Sequence, residues 1–200
     1  MVIVHPIWSI TAGRSQAKIG LTPCPGTKDA DVIESLVEFR RWDASAILSL
    51  LSKEEMEKLD TDAIESHVIK AGMAWFHLSL QDNYSQQELV ENNVEERWQA
   101  ISPFIHQLLD NNKSVIIHCQ RGSSRTSLVA IRLQLERGVT FEKATEEVIS
   151  VRPSALEPQA HLAYINYLHE NLLLNISKGI LQKATSDTSV SDKNTLTTLT

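Results

Sequence analysis

Two kinds of apolar pattern alternate along the chain: short unbroken runs, and longer stretches in which apolar side chains recur every third or fourth position. Val115-Ile116-Ile117, Ala46 to Leu51 and Met73 to Leu80 are of the first kind. Bounded by charged or turn-forming residues and short for helices, they predict strands, with Ala46 to Leu51 a buried parallel one. Ile7-Trp8-Ser9-Ile10 reads as an edge strand. From Ile19 to Gly26, two prolines and a glycine predict a turn-rich loop.

The second kind predicts helices. Val32, Leu36 and Phe39 give one face from Asp31 to about Arg40-Arg41-Trp42, and Ser52 with Glu55 forms a capping box opening Lys53 to Leu59. Ala63 to Ala71 ends at Gly72. Val90, Val94, Trp98, Ile101, Ile105 and Leu108 mark a long amphipathic helix from about Gln86 to Asp110, where Pro103 predicts a kink or a restart capped by Ser102. Ser127 to Leu135 has helical spacing closed by Gly138, and Thr140 caps a helix with Phe141, Ala144, Val148 and Ile149 inward. A last helix is expected from about Gln159 to Leu173, with Leu162, Ile165, Leu168 and Leu172 inward. Alternating strands and helices predict a three-layer α/β/α fold, a mostly parallel sheet with helices on both faces. It is expected to occupy residues 1–175, leaving 176–200 as a Ser/Thr-rich tail too polar to order itself.

Composition narrows the classes. With 200 residues, 42% hydrophobic and 22% charged, the chain is long enough for one soluble domain with a real core. A net charge of −6 argues against nucleic acid as a partner. The start lacks a signal-peptide pattern and no run has membrane-spanning length, so no stable membrane insertion is expected. Two cysteines, Cys24 and Cys119, give no disulfide framework and suit a reducing, cytoplasmic setting. The histidines outside His118 are scattered without metal-ligand spacing, and neither a metal nor a cofactor is expected. Nothing in the sequence specifies an oligomeric state.

Chemistry concentrates in His118-Cys119-Gln120-Arg121-Gly122-Ser123-Ser124-Arg125-Thr126, between the run Val115 to Ile117 and the helical stretch that follows. Strand, tight loop and helix in that order turn the backbone N–H groups of the loop toward one point at a helix N-terminus, an anion nest. Helix dipole, amides and Arg125 together favour a thiolate at Cys119. The guanidinium of Arg125 offers a planar fork to two oxygens of a tetrahedral oxyanion. Gln120, Arg121, Gly122, Ser123, Ser124 and Arg125 are thus the expected substrate-binding residues, with Cys119 as nucleophile. In an open parallel sheet, loops leaving the strand ends share one edge, so Asp82, after Met73 to Leu80, can reach the same cleft as a proton donor. Cys24 reads as a packing residue or as the partner of Cys119 in a regulatory disulfide.

These residues resemble the signature of the cysteine-dependent protein tyrosine and dual-specificity phosphatases: His-Cys, five residues, Arg, then Ser or Thr, matched by His118, Cys119, Gln120 to Ser124, Arg125 and Thr126. Pro23 to Asp31 and Tyr167-Leu168-His169-Glu170 extend the likeness toward the kinase-associated phosphatases, over roughly Ile19 to Leu174. The resemblance implies a phosphorylated protein substrate, a cysteinyl-phosphate intermediate, Asp82 as acid and then base, His118 supporting the loop, and Thr126 stabilising the departing thiolate. It also implies that no metal takes part. Gln159 is a weak candidate for orienting water. The short chain lacks a tyrosine-bearing recognition loop, which suggests a shallow cleft open to phosphotyrosine and to phosphoserine and phosphothreonine. Arg121 departs from the small or apolar residue common in protein-directed members and keeps a phosphoinositide phosphatase open as an alternative. A phosphate-binding pseudophosphatase and a rhodanese-type sulfurtransferase are the remaining ones.

Overall fold

In the computed structural model of the chain, residues 5–28, 30–82, 93–153, 155–156 and 168 are described. The apolar runs assemble into one sheet of β1 (Trp8–Thr11), β2 (Lys18–Thr22), β3 (Ala44–Ser49), β4 (Ala74–His77) and β5 (Ser114–His118), ordered β1-β2-β5-β3-β4. β1 is antiparallel to β2, and every other pairing is parallel. All of β5 is buried at the sheet's centre, which is why its sequence is apolar without alternation.

Helices cover both faces. Ile116 and Ile47 pack with Leu36 and Phe39 of α1 (Val32–Arg41), Met56 of α2 (Lys53–Lys58) and Val68 of α3 (Ile64–Lys70). Their neighbours Val115, Ile117 and Leu48 point the other way, toward Trp98 and Ile105 of α4 (Val94–Asp110), Leu128 and Ile131 of α5 (Ser124–Glu136) and Val148 of α6 (Phe141–Val151). The expected three-layer architecture is the one observed. Capping boxes open both α1, through Asp31 and Glu34, and α2, through Ser52 and Glu55.

Three expectations need correction. Ile19 to Thr22 form strand, not loop, because β1 and β5 pair with the segment on both sides; the turn begins only beyond Pro23. α4 runs unbroken through Pro103, with Ser102 buried inside it instead of capping a restart. The N–H that proline lacks would have bonded the carbonyl of Gln99, an exposed residue, and burial of Trp98, Ile105 and Leu109 holds the helix on either side. Ile149 is 41% exposed, since it lies one position beyond the inward stripe of Ala144 and Val148. The beginning of the long helix before Asn93, Gln159, the last helix apart from buried Leu168, and the tail lie outside the described residues. Among the described residues no helix is long and apolar enough to cross a membrane.

Candidate active site

The parallel strands β3, β4 and β5 end at one edge of the sheet, and backbone bonds continue past the strands: Leu50 N–H to His118 O (3.0 Å), Leu78 N–H to Ser49 O (3.0 Å) and Leu80 N–H to Leu50 O (3.0 Å). Three loops are thereby held side by side, leading respectively to Glu55, to Asp82 and to the loop after Cys119.

His118 ends β5 fully buried, its Nε2 2.6 Å from Ser49 Oγ, which accepts the indole N–H of Trp75 at 2.8 Å. Burial pushes the imidazole down to about 3, so it is neutral and serves as a fixed strut. Cys119 follows, buried, where the chain leaves the sheet.

Gly122 sets the path of the loop. Its φ is +62°, and a Cβ there would stand 2.3 Å from the backbone carbon of Thr22 and 2.5 Å from Pro23 N. The loop carbonyls are bonded by groups outside it: Gln120 O accepts from Cys24 N–H (3.3 Å), Arg121 O from Arg152 Nη2 (3.3 Å) and Gly122 O from Arg152 Nε (3.0 Å). Arg152 is itself seated over Trp8, with Cζ 3.9 Å from the ring centroid. Among the described residues no backbone N–H from Gln120 to Ser124 is spent on a protein partner. With the carbonyls tied back and α5 beginning at Ser124, these amides remain available to an oxyanion.

Arg125 lies in the first turn of α5, fully buried. Its Nη1 donates to Glu55 Oε2 (2.8 Å) and to Leu80 O (2.9 Å), while Nε is 3.3 Å from Asp82 Oδ1 and makes no hydrogen bond among the described residues. Burial alone would lower the pKa of this guanidinium, but its bond to Glu55 and the negative charge around it outweigh burial and raise it. Glu55 is the mirror case. Partial burial works against its charge, yet the bonds from Arg125 and from Ser52 N–H (2.9 Å) hold its carboxyl below the usual range. Asp82 is 65% exposed, so its pairing with Arg125 is loose.

Thr126 and Ser127 are buried, and neither hydroxyl has a hydrogen-bond partner among the described residues, Cys119 included. Both cysteines are free thiols. Cys24 is fully buried beside Thr61, its thiol pushed up to about 11 by burial, and its backbone N–H supports the loop through Gln120 O. Among the described residues no group of three or more His, Cys, Asp or Glu side chains is arranged to hold a metal.

The structure thus brings His118, Cys119, the loop, Arg125 and Asp82 together. It adds Glu55, which the sequence shows only as a helix cap 70 positions from Arg125, and Arg152, which it shows only as a helix end. The pairs Ser49–Trp75 and Arg152–Trp8 had no local signal at all.

No family model matches the chain, and no curated protein matches it in sequence. Solved structures do match in fold. Kinase-associated phosphatase carrying a serine for its catalytic-site cysteine is 21% identical, with 84% of this chain and 93% of that one covered at a TM-score of 0.69. Tk-PTP in its active form is 24% identical, covering 82% and 97%, at 0.56. PTPMT1 in complex with PI(5)P is 15% identical, covering 84% and 99%, at 0.54. The fold of this chain is that of the dual-specificity and protein tyrosine phosphatases.

Proposed function

We propose that the protein is a metal-independent phosphomonoester hydrolase acting on phosphotyrosine, and on phosphoserine and phosphothreonine, in proteins. The observation that carries this reading is the state of Arg125. One nitrogen is anchored by Glu55 and Leu80, while Nε, beside Asp82 and adjoining the loop that follows Cys119, has no hydrogen bond. A phosphate monoester dianion satisfies that edge and the unspent loop amides together.

In the first step the Cys119 thiolate forms an S–P bond as the P–O bond to the leaving group breaks, and Asp82 as the acid gives its proton to the departing oxygen. Arg125 and the loop amides of Gln120 to Ser124 stabilise the equatorial oxygens throughout. In the second step water attacks phosphorus, Asp82 takes its proton, and the S–P bond breaks to return thiolate and inorganic phosphate. Neutral His118 holds the strand end, and the hydroxyl of Thr126, unpartnered among the described residues, is the candidate to support the departing thiolate. The positive field is supplied by Arg125 and the α5 terminus, so no step calls on a metal.

The test is phosphate release from phosphotyrosine and phosphothreonine peptides by the intact, reduced protein, by Cys119→Ser and by Asp82→Asn. Release should vanish in the first variant and fall about 10²- to 10⁴-fold in the second. Absence of release from either peptide by the intact protein would overturn the reading. A phosphoinositide substrate is the second reading, favoured by Arg121, a cation exposed on the loop itself. Faster release from phosphoinositide vesicles than from both peptides would select it.

A further inference from the structure

The layer formed by α1 and α3 carries a groove of about 590 Å³ that the proposed chemistry does not use. Its apolar lining comes from Ile33, Leu36, Val37 and Ala71. Ile33 is 53% and Val37 44% exposed, and neighbouring Ile69 of α3 is 58% exposed. Single exposed apolar residues are ordinary, but Ile33 and Val37 border one concavity, the form that marks a binding surface.

Its charged lining is cationic only. Arg40, Arg41 and Lys70 contribute, and no carboxylate does. Arg40 spends one N–H on Ala44 O and keeps its charge; Arg41 pairs with Glu38; Lys70 forms no ion pair with a described residue. These cations also face the carboxyl ends of α1 and α3, each worth about half a negative charge. After Glu38 and both helix ends are counted, about one positive charge remains over an apolar groove.

Charge and shape together select the occupant. A second copy seated symmetrically would bring like-charged rims together. Residues 177–200 of this chain carry three lysines and two aspartates, which is the wrong sign. A bilayer is flat, and this surface is concave. We propose that the groove docks an acidic amphipathic helix of a partner protein, its apolar stripe against Ile33, Val37 and Ala71 and its carboxylates at Arg40, Arg41 and Lys70. The ten residues of α1 span about 15 Å, so two to three turns of the partner would be engaged.

The experiment uses the full chain and a fluorescein-labelled peptide of about four turns with leucines at i, i+4, i+7 and i+11 and flanking glutamates. A twin with lysines replacing the glutamates, and phosphatidylcholine vesicles containing phosphatidylserine, complete the set. Anisotropy reads affinity, and amide chemical shifts locate the contact. The acidic peptide should bind saturably, at least about tenfold tighter than the lysine twin, with shifts centred on α1 and α3. Ile33→Asp and Lys70→Glu should each weaken it by about tenfold while leaving turnover of a small aryl phosphate unchanged and the melting temperature within about 4 °C. No saturable binding up to about 1 mM, equal binding of both peptides, shifts centred elsewhere, or indifference to both substitutions would overturn the proposal. Preference for the anionic vesicles, lost in the same variants, would overturn it in favour of a lipid surface.

Discussion

Replacing Glu55 by Gln separates the charge that Arg125 needs from the shape that α2 needs. Oε2 of Glu55 accepts from Arg125 Nη1 at 2.8 Å and from Ser52 N–H at 2.9 Å. Glutamine retains an oxygen for one or both donors and removes only the charge. Breaking a buried ion pair outright costs about 3–5 kcal/mol. Here the loss is smaller: Glu55 is 29% exposed, Leu80 O still accepts from Nη1, and Asp82 remains 3.3 Å from Nε. About 1–2 kcal/mol is expected for Glu55→Gln, and roughly 1 kcal/mol more for Glu55→Ala, which also forfeits its half of the capping box. For a domain of this size that lowers the melting temperature by about 2–8 °C for Gln. Activity should fall further than stability. A guanidinium freed on one side misplaces the oxyanion contacts, and kcat/KM for an aryl phosphate should drop about 10- to 100-fold. Ser52→Ala is the control: it removes the 3.2 Å bond between Ser52 Oγ and Glu55 N–H, costs about 1 kcal/mol, and should leave kcat/KM within about twofold. Calorimetry and steady-state kinetics on the three variants decide the matter. Full kcat/KM in Glu55→Gln, or an equal loss in Ser52→Ala, would refute the assignment of Glu55 as the positioning residue for Arg125.

Gly122→Ala needs more than about 1 Å of loop movement to clear the backbone of Thr22 and Pro23, so kcat/KM should fall at least about 100-fold with the circular dichroism retained; near-normal turnover would show the loop is not held there. Arg152→Ala removes the donors to Arg121 O and Gly122 O and should lower kcat/KM about tenfold, and Arg152→Lys, lacking the planar fork, should not restore it. On acidification, unfolded chains take up a proton at His118 below about pH 6.5 that the folded imidazole refuses until about 3, so stability should fall with pH across that window by up to about 1.4 kcal/mol per unit. His5, lowered by burial as well, adds to the same slope, and urea midpoints at pH 7, 5.5 and 4.5 that do not move would contradict it. Asp82→Asn should lower kcat while inorganic phosphate inhibits up to about fivefold more tightly, because a competing anion leaves Arg125 Nε; weaker phosphate inhibition would argue against that competition.

What could be read from the sequence was what depends on near neighbours. The run Val115 to Ile117 is apolar because β5 is covered on both faces, and the loop is recognisable because nest, glycine and helix start are consecutive. The capping box of Ser52 and Glu55 was equally local and appears as expected. The same residue's second bond, to Arg125, spans 70 positions and leaves no trace in spacing or composition. Arg152 is alike: its helix-ending proline is visible, but its bond to a loop 30 positions earlier and its seat on Trp8 belong to tertiary structure. The strand at Ile19 to Thr22 is hidden in the sequence because prolines and glycine dominate the local signal, whereas strand formation is decided by partners on either side. Pro103 shows the converse, a local breaker overridden by packing.

Arg125 also shows why one buried cation can keep both a fixed position and an available edge. Complete pairing of the guanidinium would leave it inert toward a ligand, and no pairing would make its burial prohibitively costly. The sequence resolves this by unequal partners. Glu55, half sheltered and held by a helix cap, takes Nη1 with a neutral carbonyl beside it. Asp82, mostly in solvent, takes Nε without hydrogen-bond geometry and is the weaker partner by exposure alone. A phosphate dianion carries more charge than Asp82 and more acceptors than one carboxylate, so displacement at Nε is the direction electrostatics favours. Under the proposed mechanism, the group displaced is the one required at the leaving oxygen, so binding of the substrate itself would free Asp82 for that position.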